Sequence, residues 1–162
     1  MARAETLNFR HLDVTRARSD DLDTSFQTAV GLSQQQVAYA TASLYCRVAR
    51  LEGQVIGAYS MREPYPAESL FADDSTDPAA LAAFHLQWVG VRTDFRRRGL
   101  GGWLVGHAIG VAETKGAQCL DVSFAEQGDH VAVAGALFVA LGFVQREAAA
   151  GQLGFRYQLI PE

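Results

Sequence analysis

The 162-residue chain has only two cysteines, Cys46 and Cys119. Neither stands in a Cys-x-x-Cys pair or a cysteine–histidine cluster, which excludes a disulfide-built scaffold and a zinc site read from spacing. A reducing, cytoplasmic setting is expected, and no metal. No stretch approaches the roughly 20 apolar residues that span a bilayer. The first residues, Met1–Glu5, lack the apolar core of a secretory signal. No membrane association is expected. Lysine occurs once, at Lys115, among 14 Lys plus Arg, and the net charge is −4. A surface given over to nucleic acid is not expected from that balance. No Gly-Lys-Ser/Thr occurs, which removes the Walker phosphate loop. No repeat and no linker divides the chain, so one domain over residues 1–162 is expected.

What is present is ordinary for a globular domain: 49% apolar and 20% charged residues. Leu7–Asp13 alternates and reads as a first strand. Ser19–Asp23 supplies N-cap chemistry for a helix to about Val30, stopped by Gly31, and Ser33 caps a second short helix, Gln34–Ala42. Leu44–Leu51 and Gln54–Met61 read as a hairpin about Glu52-Gly53. Arg62–Ala80 carries three prolines, and five acids lie between Glu63 and Leu81; it reads as a long loop, either a functional lid or a solvated insertion. Phe84–Val91 is a central strand, Gly99–Lys115 a helix ended by Gly116, and Gln118–Phe124 a strand parallel to the first. Val131–Leu141 is a helix stopped by Gly142, and Phe143–Glu147 and Gly154–Ile160 are closing strands. The fold class is α/β in the α+β sense: a mixed, mostly antiparallel sheet of six or seven strands with about four helices.

Chemistry concentrates at Arg96-Arg97-Arg98-Gly99-Leu100-Gly101-Gly102, directly after a strand and before a helix. The first turn of a helix has N–H groups without helical partners, and the helix dipole makes that end positive. Glycines let backbone and ligand approach closely. The combination suits a phosphate or pyrophosphate, with the arginines adding charge. The dinucleotide fingerprint Gly-x-Gly-x-x-Gly fails, because Leu104 stands at its third glycine.

The run Val89-Gly90-Val91-Arg92-Thr93-Asp94-Phe95-Arg96-Arg97-Arg98-Gly99-Leu100-Gly101 resembles the acetyl-CoA motif of GNAT N-acetyltransferases, Gln/Arg-x-x-Gly-x-Gly/Ala. Arg96, Gly99 and Gly101 fill its fixed places. Ala136–Phe143 resembles that family's closing helix, and the element order agrees over nearly the whole chain. The resemblance implies acetyl-CoA as acyl donor. It implies backbone N–H groups of Arg97, Arg98, Gly99, Leu100, Gly101 and Gly102 on the pyrophosphate. It also implies Val89, Gly90 and Val91 along the pantetheine, and direct attack by a primary amine. The tyrosine that often protonates the leaving thiolate is Phe138 here, which has no proton to give. Either another group or water supplies it, or the fold is kept without catalysis.

His85 and Gln87 share a strand face with Val89 and Val91 by period-two alternation. His85 is a candidate base and Gln87 a candidate for orienting the amine; a buried, hydrogen-bonded histidine and a polar strand-end residue are the plain alternatives. Asp121 and Ser123 share a face of the next strand, and Asp121 reads as structural. His130 reads as a cap residue, and Glu68, Asp73, Asp74 and Asp77 as either a lure for a cationic amine or a solvated loop. Trp88 and Trp103 read as packing residues. Three functions compete: an N-acetyltransferase acting on a small-molecule or peptide amine, a toxin acetylating aminoacyl-tRNA, and a non-catalytic acyl-CoA sensor. A tRNA ligand requires a wide basic surface, which this composition does not offer. Pairing into a homodimer through the last strands is common in the family the chain resembles.

Overall fold

A computed structural model of the protein describes residues 8–18, 21–23, 26–28, 45–62, 83–125, 131–148 and 150–159. Its strands are β1 (Leu12–Arg16), β2 (Tyr45–Leu51), β3 (Gln54–Arg62), β4 (Ala83–Val91), β5 (Cys119–Ala125), β6 (Val144–Arg146) and β7 (Gln152–Gln158). They form a seven-stranded sheet in the order β1-β2-β3-β4-β5-β7-β6. Two helices have described bounds, α1 (Leu100–Thr114) between β4 and β5, and α2 (Val131–Ala140) between β5 and β6. β4 pairs β5 in parallel, as a strand–helix–strand unit requires. β1 pairs β2 and β7 pairs both β5 and β6 antiparallel. The second short helix expected at Gln34–Ala42, the Arg62–Ala80 loop beyond Arg62, His130 and the four loop acids lie outside the described residues.

Local chemistry explains most boundaries. Glu52 and Gly53 both take positive φ, 51° and 82°, the twist that suits a two-residue hairpin turn. The first strand begins later than Leu7–Asp13. Phe9–His11 is instead a 3-10 turn, because the Asn8 side chain accepts from Arg10 N at 3.1 Å. The described helical residues 26–28 begin at a cap supplied by Asp23, whose Oδ1 accepts from Phe26 N at 2.9 Å. Both long helices end on a left-handed glycine. Ala117 N bonds Ala112 O across Gly116, and Phe143 N bonds Phe138 O across Gly142, the reach-back pattern that satisfies terminal carbonyls. β6 is shorter than the expected Phe143–Glu147, and β7 begins at Gln152 rather than Gly154.

The chain parts into two compact units: Met1–Ser60 with Trp88–Val105, and Met61–Gln87 with Gly106–Glu162. In the first, Leu22, Phe26, Cys46, Val48, Ala58 and Trp88 form a buried cluster. Arg50 Nη2 meets Asp21 Oδ2 at 2.6 Å beside it. Burial works against the Asp21 carboxylate. The bonds from Arg50 and from Arg18 N, with both positive charges, outweigh burial and hold the carboxyl below its usual range.

In the second unit, Phe138 packs against Phe124, Phe143 and Phe155, with ring centroids 6.0, 5.1 and 5.9 Å away. Across the β5–β7 ladder, Asp121 and Arg156 stand directly opposite each other. Arg156 donates from Nε to Asp121 Oδ1 at 2.7 Å and from Nη2 to Oδ2 at 2.8 Å, and both side chains are buried.

Two outcomes follow. Asp121→Ala leaves the buried Arg156 guanidinium without its counter-charge and is expected to cost about 3–5 kcal/mol in urea unfolding. The Asp21 pair acts through pH. A carboxyl lowered in the folded state contributes fully above its unfolded-state pKa, and that contribution is lost as pH falls through the folded value. Asp21→Asn is therefore expected to flatten the loss of stability on acidification below about pH 4, read from unfolding midpoints across a pH series.

Candidate functional site

The C-terminal half of β4 alternates in burial. Leu86, Trp88 and Gly90 are buried, while Gln87, Val89 and Val91 are half-buried. The ladder with β5 pairs Ala83–Leu86 with Cys119–Val122. β4 then runs on to Val91. Past Leu86, the backbone groups of β4 on its β5 side lie beyond the ladder. A strand edge of this kind can take up an extended, hydrogen-bonding ligand.

After Val91 the chain turns through a 3-10 segment, Thr93–Phe95, closed by Phe95 N to Arg92 O at 2.8 Å. Two residues then adopt left-handed backbone: Arg97 at φ 63° and Gly99 at φ 80°. At Gly99 that conformation is free of Cβ strain; at Arg97 it costs on the order of 1 kcal/mol. Trp103 N donates to Gly99 O at 3.0 Å, so Gly99 is the residue from which α1 springs. The N–H groups of Leu100, Gly101 and Gly102 belong to the first turn, where no helical carbonyl reaches them. Gly99 has no side chain to cap them. A Cβ placed on Gly101 would meet nothing within 4 Å, so this end of the helix has room for a ligand.

The sequence assigns three arginines to phosphate, and the structure divides their tasks. Arg96 Nε donates to Val91 O at 3.1 Å, tying the loop to the last residue of β4. The Arg98 guanidinium lies over the Phe95 ring, 5.3 Å from its centroid. Arg97 is exposed.

The position of α1 is set by Gly57 on β3. A Cβ there would stand 3.0 Å from Leu104 Cδ1, 3.1 Å from Gly90 O and 3.4 Å from Leu100 Cδ2. Arg92 N also donates to Ile56 O at 2.8 Å. The first turn of the helix and the end of β4 thus both sit on β3. Sequence reasoning gave Gly57 no role of its own; a lone glycine inside a continuously buried strand is the available signal.

His85, the candidate base, is 5% exposed. Its Nδ1 lies 3.4 Å from Arg62 Nη2. A guanidinium only donates, so Nδ1 accepts and the ring proton sits on Nε2. In the β4–β5 register His85 stands opposite Asp121. Phe138 is 6% exposed within the aromatic cluster. The cysteines offer no nucleophile. Cys119 is fully buried, and burial pushes the Cys46 thiol up to about 11, so it stays protonated at neutral pH. Among the described residues no helix is long and apolar enough to cross a membrane.

One substitution checks this geometry. Gly57→Ala drives a methyl into the Gly90 carbonyl and the α1 leucines, and is expected to destabilise by about 1–3 kcal/mol in thermal or urea unfolding.

Comparison with known proteins follows the same lines. The model of the acetyltransferase (GNAT) family matches residues 9–143. No curated protein matches the chain in sequence. Among solved structures, the chain is similar to an IAA acetyltransferase from Bacillus cereus, at 17% identity and TM-score 0.66, over 91% of this chain and 99% of that one. It is similar to the ribosomal-protein-S18-alanine N-acetyltransferase from Escherichia coli, at 16% identity and TM-score 0.67, over 93% and 96%. It is also similar to a GNAT family acetyltransferase from Elizabethkingia anophelis with acetyl-CoA bound, at 14% identity and TM-score 0.68, over 92% and 99%. At such identities the structures speak for the fold alone. With a strand that outruns its ladder, a left-handed glycine before a bare helix end, and a family match over most of its length, the chain belongs to the GNAT acetyltransferase family.

Proposed function

We propose that the chain is one acetyltransferase domain that moves the acetyl group of acetyl-CoA to the primary amine of a small molecule or peptide. The observation that carries this reading is the start of α1 at a left-handed Gly99, with open space at Gly101. Backbone N–H groups of Arg97 to Gly102 hold the pyrophosphate, and the exposed Arg97 adds charge. The backbone of Val89, Gly90 and Val91 holds the pantetheine arm as an added strand, with the Val89 N–H directed to the acyl oxygen. The bound thioester supplies an activated acyl carbon.

Positioning is the main contribution of this chain's residues. The amine attacks the acyl carbon directly, the C–S bond breaks, and the thiolate leaves. Gln87, half-buried on β4, orients the amine; His85 braces that strand through Arg62. The proton lost by the amine passes to solvent. Phe138 cannot donate a proton, so water protonates the thiolate. A missing general acid slows such a step by roughly 10²–10⁴-fold without abolishing it. Two of the related structures are named for a ribosomal-protein alanine and for agmatine, which supports a reading that includes both peptide and small amines.

Isothermal titration with acetyl-CoA tests the reading. Micromolar binding is expected, weakened at least about tenfold by Gly101→Asp, which sets a carboxylate against the phosphate at the helix end. A protein that stays inert at millimolar acetyl-CoA sinks the proposal. Binding without turnover over a panel of primary amines and aminoacyl-tRNA leaves a sensor instead.

A further inference from the structure

Phe9 lies far from the loop in sequence, yet its ring stacks on Trp103 in the first turn of α1. The ring centroids are 5.6 Å apart and the planes differ by 10°. Its Cζ is also the atom nearest to where a Cβ of Gly99 would stand, at 3.7 Å. Gly99 O and Trp103 N form the first hydrogen bond of the helix. Phe9 therefore packs on the ring of Trp103 and stands beside Gly99, the two residues that this bond joins. Phe9 is itself fixed, because it opens the 3-10 turn in which Asn8 receives Arg10 N through its side chain and His11 N through its carbonyl, both at 3.1 Å.

We propose that Phe9 is a positioning residue for the phosphate loop. Its ring holds Gly99 in the left-handed conformation that leaves the Leu100, Gly101 and Gly102 N–H groups facing outward. The loop needs such a hold: Arg97 is left-handed without being glycine, and Gly99, lacking Cβ, adopts right-handed backbone as readily. Without the ring, the loop spends part of its time in conformations that cannot receive a phosphate, and apparent affinity falls by that fraction. The functional consequence rests on the acetyl-CoA reading, while the hold itself does not.

The test compares wild type with Phe9→Ala, Phe9→Tyr and Asn8→Ala. Two quantities are measured: the acetyl-CoA dissociation constant by titration, and amide exchange at Trp103, with Leu120 on β5 as the control for global opening. An aromatic stack of this kind corresponds to roughly a two- to tenfold effect. Phe9→Ala is expected to weaken acetyl-CoA binding by about that factor and to speed Trp103 exchange by a similar one, with Leu120 unchanged. Once an acceptor is in hand, KM for acetyl-CoA rises while kcat stays within about twofold. Phe9→Tyr, which keeps the ring, restores both readouts; Asn8→Ala moves them in the same direction as Phe9→Ala, by less. Unchanged Trp103 exchange in Phe9→Ala overturns the proposal, as does acceleration shared equally by Leu120. If wild type binds no acetyl-CoA, the functional proposal falls, and Trp103 exchange alone decides whether Phe9 holds the loop.

Discussion

The first turn of α1 stands on bare backbone. Leu100 and Leu104 reach into the space that a side chain at position 57 would fill, and Gly90 O closes the same gap from β4. Because the helix rests there, its N-terminal donors come out beside the end of β4. The Arg96 bond to Val91 O then fixes the short span between strand and helix. Donors at a helix end select an anion only where the helix is held still.

The second unit has a different character. Its apolar centre is aromatic, with Phe124, Phe138, Phe143 and Phe155 in mutual ring contact and Tyr157 packed 5.3 Å from Phe143. A hydroxyl at position 138 would need a partner within that cluster, so the phenylalanine suits its surroundings. Among the described residues of this unit, Asp121 pairs with Arg156, and His85 lies against Arg62.

Much of this was legible in the residues. The parallel β4–α1–β5 unit follows from its order, both helix ends from Gly116 and Gly142, and the start of α1 from the glycines that follow a strand. The Glu52-Gly53 turn follows from its flanking alternation. What stayed hidden depends on contacts distant in sequence. Asn8 diverts the chain into a 3-10 turn before β1, which local alternation does not show. β7 enters between β5 and β6, and no pattern within either closing strand fixes that order. Asp121 reads as structural, but its partner Arg156 is 35 residues away. Trp103 reads as packing, and only the fold reveals that its partner is Phe9. His85 reads as either a base or a buried, hydrogen-bonded histidine, and only the fold shows that Arg62 stands 3.4 Å from its ring.

The Asp121–Arg156 pair also bears on how the sheet assembles. β5 and β7 share seven consecutive rungs, from Cys119 opposite Gln158 to Ala125 opposite Gln152. A slip by a single position would turn the carboxylate and the guanidinium to opposite faces, each desolvated and alone. The pair thus acts as a key that admits one alignment of these strands, and with it one placement of the aromatic residues that α2 must meet.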